Sequence, residues 1–239
     1  MHRQNIFEIL KNSYNVSKEM NKIRELFYNK MIFSRYENDK YSIEEIFESK
    51  FLKTWKQRGS FLCCAEIRGE LNLPDYYQYE DDIIKALEYA ENIIYLITKN
   101  SYYLEQNGFN ISKNFSLLTE NIDILLEYLN YEKYIIKEQE MVLLVPKNPA
   151  ATAVAEISSK ETALAILKYN HSALKGDLDG KRNLLYQISL EYEPLLKNPI
   201  NGFNDFFEKT NNLLNNLHIR HNNQNKEYNQ NLIINIDEK

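Results

Sequence analysis

Cysteine is nearly absent from this sequence, since Cys63 and Cys64 are the only two among 239 residues. Adjacent cysteines are poorly placed to bridge each other, or to chelate a metal without further ligands. A free cysteine usually behaves as a small, buried apolar residue. We therefore expect two buried thiols in a reducing compartment, and neither a disulfide framework nor a zinc site.

Long apolar runs are also missing. No stretch approaches the roughly 18 uncharged apolar residues of a membrane-spanning helix, and charged and amide side chains interrupt residues 1–16, so no signal-peptide core is present. The net charge of −5 gives no global positive field that would draw the molecule onto a nucleic acid. We expect a soluble, cytoplasmic protein without a membrane partner, in which any nucleic-acid site is local.

The motifs of several enzyme classes are absent as well. The sequence contains no P-loop, no dinucleotide-binding glycine pattern, no zinc-ligand spacing and no serine nucleophile elbow. Cys64 lies close to Arg68, but a thiol nucleophile needs a base and an orienting partner, and neither can be assigned. We expect Arg68 to pair with a carboxylate inside a helical bundle.

The stretch "NHSALKGDLDGKRN" places His171, Asp177 and Asp179 around two glycines. Because the spaced oxygen ligands and terminal glutamate of a calcium loop are missing, it is better interpreted as a helix connection. Gly176 and Gly180 would supply the turn conformations.

A small basic patch follows from the same stretch. It comprises Lys175, Lys181 and Arg182. Such a patch can meet phosphate, but a solvated face is the commoner arrangement.

Apolar residues recur at helical spacing through most of the chain. The predicted helices cover residues 4–32, a segment after the capping box Ser42/Glu45, a short segment ended by Gly69 and Pro74, Asp81 to Gly108, about 115–130, and several segments between 150 and 225. In the long helix that follows Asp81, the buried stripe is predicted to comprise Ile83, Leu87, Ala90, Ile94 and Ile97.

Two β-rich runs flank the polar turn Lys137 to Glu140, and Pro146 and Pro149 close the second run. An isolated hairpin is marginal in water, so we expect it to pack on the preceding helix. The predicted fold is mainly α, a helical bundle with a small α+ββ insert. The predicted regions are 1–108, helical; 109–148, helix plus hairpin; 149–225, helical; and 226–239, a polar tail.

The stretch "NNLLNNLHIRHNNQN" ends the last predicted helix. At about 100° per residue, continuing that helix places His221 on its apolar half, with Phe207 and Leu213. Asn216, Arg220 and Asn223 then share an adjacent strip, because residues three and four apart lie on one face. Ile219 falls on the opposite side, where a monomer would expose it, so we expect a second packing partner such as another copy of the chain.

This cluster has two interpretations. It is the polar end of a helix, or it is a site in which His221 acts as general acid or base. Arg220 would then hold a phosphate, while Asn216, Asn222 and Asn223 orient the substrate. Such a site needs no metal and no cofactor.

The order of helices, β insert and helices, together with "LHIRHNN" at Leu217–Asn223, resembles bacterial abortive-infection and prophage-associated proteins with HEPN-like helical C-terminal regions. The resemblance covers about residues 115–225. It implies a homodimeric phage-defence protein that binds or cleaves RNA without metal. Arg220 and His221 would be its catalytic residues. In that family the arginine and histidine stand four to six residues apart, whereas here they are adjacent and Asn216 lies five residues before His221. The alternative is a non-enzymatic protein–protein interaction module or regulator in a defence or prophage system.

Overall fold

The computed structural model describes residues 14–36, 39–74, 77–197, 204–216 and 219. The chain divides into two compact units, Met1–Leu144 and Val145–Lys239. Helices dominate both units, which confirms the prediction of a mainly α fold. Within the described part of the chain, no helix combines the length and the apolar character needed to cross a membrane.

The first unit is built on helices. They are α1 (Val16–Tyr28), α2 (Ile43–Ile46), α3 (Cys64–Glu70), α4 (Glu80–Lys99), α5 (Ser101–Gln106) and α6 (Asn114–Tyr128). After α2 the chain continues through a π-helical turn, Phe47–Phe51, and two 3₁₀ turns, Leu52–Thr54 and Lys56–Arg58. The predicted capping box is confirmed, because Glu45 N–H donates to Ser42 Oγ at 3.2 Å and Ser42 N–H donates to Glu45 Oε2 at 2.6 Å.

A small antiparallel sheet in this unit was not predicted. Its strands are β1 (Ile32–Ser34), β2 (Lys40–Tyr41) and β3 (Phe109–Ile111), with β1 in the centre. Ile32 faces Tyr41 on one side and Ile111 on the other. The prediction of a helix to residue 32 is therefore wrong at its end, because α1 stops at Tyr28 and the chain enters β1.

Two helix ends also differ from the prediction. The long helix expected to run to Gly108 ends at Lys99, and α5 follows before Gly108, at φ +80°, leads into β3. Gly69 lies inside α3, which instead ends before Asn72 at φ +52°. In both places a residue in the left-handed region follows the helix, as is common at helix C-termini.

The core of the first unit surrounds α4. The predicted apolar stripe of this helix is buried throughout, at Ile83, Leu87, Ala90, Ile94 and Ile97. It belongs to a continuous cluster with apolar side chains of α1, α2 and α6. Burial of this stripe accounts for the position of α4 at the centre of the unit.

The predicted hairpin is present as β4 (Tyr131–Ile136) and β5 (Met141–Pro146). As expected, it packs on the preceding helix, through β4 against α6. The edge of β5 is covered by α4: Asn92 Nδ2 donates to Val142 O at 2.8 Å, Val142 N–H donates to Asn92 Oδ1 at 2.9 Å, and Leu144 N–H donates to Glu88 Oε2 at 2.7 Å. Side chains thus replace a third strand along this edge.

The second unit is helical. Its elements are α7 (Pro149–Ile157), α8 (Lys160–Tyr169), a 3₁₀ turn (Ser172–Leu174), α9 (Leu178–Lys197) and α10 (Asn204–Asn216). Helix α9 packs between α8 and α10. The start of α8 is fixed on α9, because Ser159 N–H and Oγ donate to the Glu191 carboxylate at 3.0 Å and 2.8 Å.

Replacing Asn92 by alanine should destabilise the first unit by about 2–4 kcal/mol, because it leaves a buried N–H and a buried C=O of Val142 without partners. Urea unfolding monitored by circular dichroism measures this loss. Asn107→Ala is the matched control, since Asn107 Nδ2 donates to Tyr103 O at 2.8 Å on an exposed surface; it should cost less than about 0.5 kcal/mol. Equal losses in the two variants would contradict the edge-capping role of Asn92.

Candidate functional site

The C-terminal cluster begins where α10 ends. Asn216 is the last residue of that helix, and its side chain lies outside the described part of the structure. Arg220, His221, Asn222 and Asn223 lie outside the described residues as well. The five candidate side chains are therefore known from the sequence alone.

Ile219 shows how the chain leaves α10. Only 1% of this residue is exposed, and it packs with Leu178, Leu185, Tyr186 and Leu214. Its N–H donates to Leu214 O at 3.0 Å. The prediction that a monomer exposes Ile219 is wrong, because it continued the helical wheel beyond the point at which α10 ends.

The apolar half of α10 was predicted correctly in part. Phe207 is buried and stacks on Tyr192 with ring centroids 5.5 Å apart. Leu213, expected on the same inward half, is 45% exposed. Ile219 packs against Leu214 instead, so the turn of α10 that contains Leu214 is the part of this apolar half in contact with Ile219.

Two cations lie inside the second unit, on the first turns of α9. Lys181 is 8% exposed and Arg182 is 4% exposed, so the expectation of a solvated patch is wrong for both. The Lys181 Nζ atom lies 5.2 Å from the ring centroid of Tyr169, a cation–π contact. Arg182 is four residues after Leu178 and three before Leu185, so it shares the helix face that contacts Ile219.

The connection before α9 is a structural turn, as predicted. Ala173 N–H donates to His171 Nδ1 at 3.1 Å, and Gly176 adopts φ +80°. Gly180 has another role than expected, because it lies within α9, where a Cβ would come 2.3 Å from Asp177 Oδ2. Among the described residues, no three His, Cys, Asp or Glu side chains are grouped in a way that could hold a metal ion.

An open groove of about 920 Å³ runs between α8 and α9. Its apolar lining comprises Leu164, Ala165, Leu184 and Leu190. Glu161 and Glu191 lie at the end where α8 begins, and Lys168 lies near the end of α8. Sequence reasoning missed this groove, since periodicity identifies each helix but not the neighbour that forms the other wall.

A polar network in the first unit joins α2, α3 and α4. Arg68 forms an ion pair with Glu44, which also accepts a hydrogen bond from Tyr89 Oη at 2.5 Å. This confirms the predicted pairing of Arg68 with a carboxylate inside the bundle. The Arg68 guanidinium also lies 5.9 Å from the ring centroid of Tyr28.

Two neighbouring groups, the Tyr89 phenol and the Cys64 thiol, are held in their protonated forms. Burial, together with the negative charge of Glu44, raises the pKa of the Tyr89 phenol. Burial also raises the pKa of the Cys64 thiol to about 12. At neutral pH neither group is a base or a nucleophile, so the network ties three helices together and is a poor candidate for an active site.

A second ion-pair network fixes the hairpin. Lys133 of β4 lies 3.3 Å from Glu91 Oε1 and 2.5 Å from Asp123 Oδ1. Glu91 is 5% exposed, and its burial raises the pKa of the carboxyl group despite the charge of Lys133. The three side chains connect β4 to α4 and α6, and thus serve the fold.

The comparisons with known proteins give no family. The chain matches no protein-family model, no curated protein and no solved structure. The class of protein that its structure defines is thus a mainly α protein of two units, in which the groove between α8 and α9 and the C-terminal segment after Ile219 are the candidate sites.

Cys64 should resist thiol reagents in the folded protein, because it is 1% exposed and its pKa of about 12 leaves roughly one thiolate in ten thousand thiols at pH 8. The measurement is the rate of reaction with a chromogenic disulfide, using Cys63→Ser to isolate Cys64. Its matched counterpart, Cys64→Ser, retains the partly exposed Cys63 and should react much faster. Equal rates of reaction for the two folded variants would contradict the buried position of Cys64.

Proposed function

We propose that this protein is a defence-type protein of the abortive-infection kind that binds or cleaves RNA without metal. Arg220 and His221 carry the chemistry, and Asn216, Asn222 and Asn223 hold the substrate. Imidazole, guanidinium and amide groups together supply proton transfer, charge stabilisation and hydrogen bonding, which are what RNA cleavage without metal requires.

The observation that carries the proposal is the burial of Ile219. This residue is in contact with Leu178 and Leu185 of α9, so the backbone immediately before Arg220 is held by the interior of the second unit. An anchored backbone reduces the entropy lost when neighbouring side chains are ordered around a substrate. The segment that carries Arg220 and His221 therefore starts from a fixed point, which supports a site in a way that an unanchored tail would not.

Positive side chains stand close in the sequence to the part of α9 that contacts Ile219. Although the chain has a net charge of −5, residues 175–182 contain three cations, Lys175, Lys181 and Arg182, and two carboxylates, Asp177 and Asp179. This stretch includes the turns of α9 beside which Ile219 packs. Lys181 and Arg182 are buried, so the basic stretch offers a phosphate backbone one exposed cation, Lys175.

The cleavage step needs only groups that the segment contains. His221 removes the proton from a ribose 2′-hydroxyl, whose oxygen attacks the adjacent phosphorus. Arg220 stabilises the added negative charge on the phosphoryl oxygens. The protonated His221 then gives its proton to the departing 5′-oxygen, which leaves a cyclic phosphate on one product and a 5′-hydroxyl on the other.

A second candidate function is a protein–protein interaction module. The observation that favours it is the groove between α8 and α9 together with exposed apolar side chains in the same unit. Ile157 is 85% exposed and Leu190, which lines the groove, is 52% exposed. A groove with an apolar lining and exposed apolar side chains in one unit are typical of surfaces that bind a partner helix.

Induced expression in bacteria tests the first candidate. Wild-type protein should slow growth and fragment total RNA, whereas Arg220→Ala/His221→Ala at the same soluble level should do neither, because both the proton-transfer group and the phosphate-binding group are lost. Growth curves and electrophoresis of total RNA measure the two effects. Lys53→Ala is the control, since it removes one exposed positive charge from the other unit and should behave as wild type.

Intact RNA in wild-type cells would contradict cleavage of RNA by this protein, and fragmentation that persists in the double variant would contradict the catalytic roles of Arg220 and His221. Growth arrest that persists in the double variant with intact RNA would favour the interaction module. The same expression strains distinguish these results, because growth and RNA integrity are scored separately.

A further inference from the structure

The groove between α8 and α9 has a charge at each end. Glu161 lies in the first turn of α8 and Lys168 in its last turn, and both line the groove. Neither forms an ion pair with another residue of the described ranges. The two charges are seven residues apart, about 10 Å along the helix axis.

The apolar centre of the groove lies between these charges. Leu164 and Ala165 occupy the midpoint of the interval from Glu161 to Lys168, and Leu190 of α9 adds an exposed side chain. Residues 161, 164, 165 and 168 fall on one face of α8 because they are three, four and seven apart. The resulting pattern, apolar in the centre and charged at the ends, is that of an interface core with a polar rim.

We propose that the groove is occupied by α8 of a second copy of this chain, with the two helices antiparallel about a two-fold axis. The axis passes between Leu164 and Ala165. Each Glu161 then faces the Lys168 of the partner copy, because the two residues are equally distant from the axis on opposite sides. The α8 and α9 helices of the two copies form a four-helix arrangement.

The charges of α8 specify this occupant. A helix lying antiparallel in the groove matches it when a cation faces Glu161 and an anion faces Lys168, with small or branched apolar residues between them. Helix α8 itself carries this pattern, so the surface is self-complementary, as a two-fold interface must be. The antiparallel orientation also places each helix N-terminus beside the C-terminus of the other, which is favourable for their dipoles.

This proposal develops the interaction-module candidate and does not depend on any activity toward RNA. Its interface lies on the face of α9 opposite to the one that contacts Ile219, since Leu184 and Gln187 line the groove whereas Leu178 and Leu185 contact Ile219. The mass of the protein in solution tests the interface, and RNA integrity tests the other proposal, so the failure of one is distinguishable from the failure of the other.

The experiment is a charge exchange read out by sedimentation velocity on the full chain at micromolar concentrations. Wild type should sediment as a dimer. Lys168→Glu should raise the dissociation constant about 10- to 100-fold, because the two-fold axis makes each substitution create two repulsive contacts. Glu161→Lys should have a similar effect. The double variant Glu161→Lys/Lys168→Glu should recover dimerisation to within about threefold of wild type, because the attractive pairs are restored with their signs exchanged.

Lys22→Glu is the matched control, since it makes the same charge change on an exposed helix of the other unit and should leave the dimer unchanged. Thermal unfolding of each variant verifies that the second unit is folded. A monomeric wild type would overturn the proposal, and a helix of another protein would then be the candidate occupant of the groove. A dimer that is indifferent to the single exchanges, or that the double exchange fails to recover, would overturn it as well.

Discussion

The first unit depends on how α4 meets the exposed edge of β5. Glu88 and Asn92 are four residues apart on the helix, an advance of about 6 Å, and their partners Leu144 and Val142 are two residues apart on the strand, about 7 Å. Helix and strand run in opposite directions, so Glu88 reaches Leu144 and Asn92 reaches Val142. The backbone groups that they contact lie on the side of β5 that points away from β4. A slip of one residue in β5 would turn these backbone groups toward β4, so the contact fixes both the position and the register of the hairpin.

Features that depend on local sequence were predicted correctly. Each of three such features depends on residues that are close together in the sequence. They are the capping box at Ser42, the apolar stripe of α4 and the hairpin around residues 137–140. The sheet of β1, β2 and β3 was missed because its strands have two or three residues and because β1 pairs with residues 109–111, far along the chain. Asn92 was missed for a related reason, since a polar residue within a helix indicates solvent unless its partner is known.

The candidate sites show the same limit. The predicted exposure of Ile219 depends on α10 continuing through this residue. The helix ends at Asn216, and Ile219 packs onto α9. The groove between α8 and α9 requires knowledge of which two helices are neighbours. Charge patterns were available in the sequence, yet Lys181 and Arg182 were assigned to solvent because nothing local indicates that the first turns of α9 are covered.

The functional account joins two features of the second unit. One is the C-terminal segment that follows the buried Ile219, which we propose acts on RNA. The other is the groove on the opposite face of α9, which we propose binds a second copy of the chain. Three ionisable groups of the first unit serve the fold instead: the Cys64 thiol is buried, and the Tyr89 hydroxyl and the Glu91 carboxylate each form a hydrogen bond inside the unit. The most direct measurement is the fate of a labelled single-stranded RNA incubated with purified protein in a metal chelator. The account predicts that wild type binds or cuts this RNA in the absence of divalent metal; an RNA that is neither bound nor cut by folded wild-type protein would contradict it.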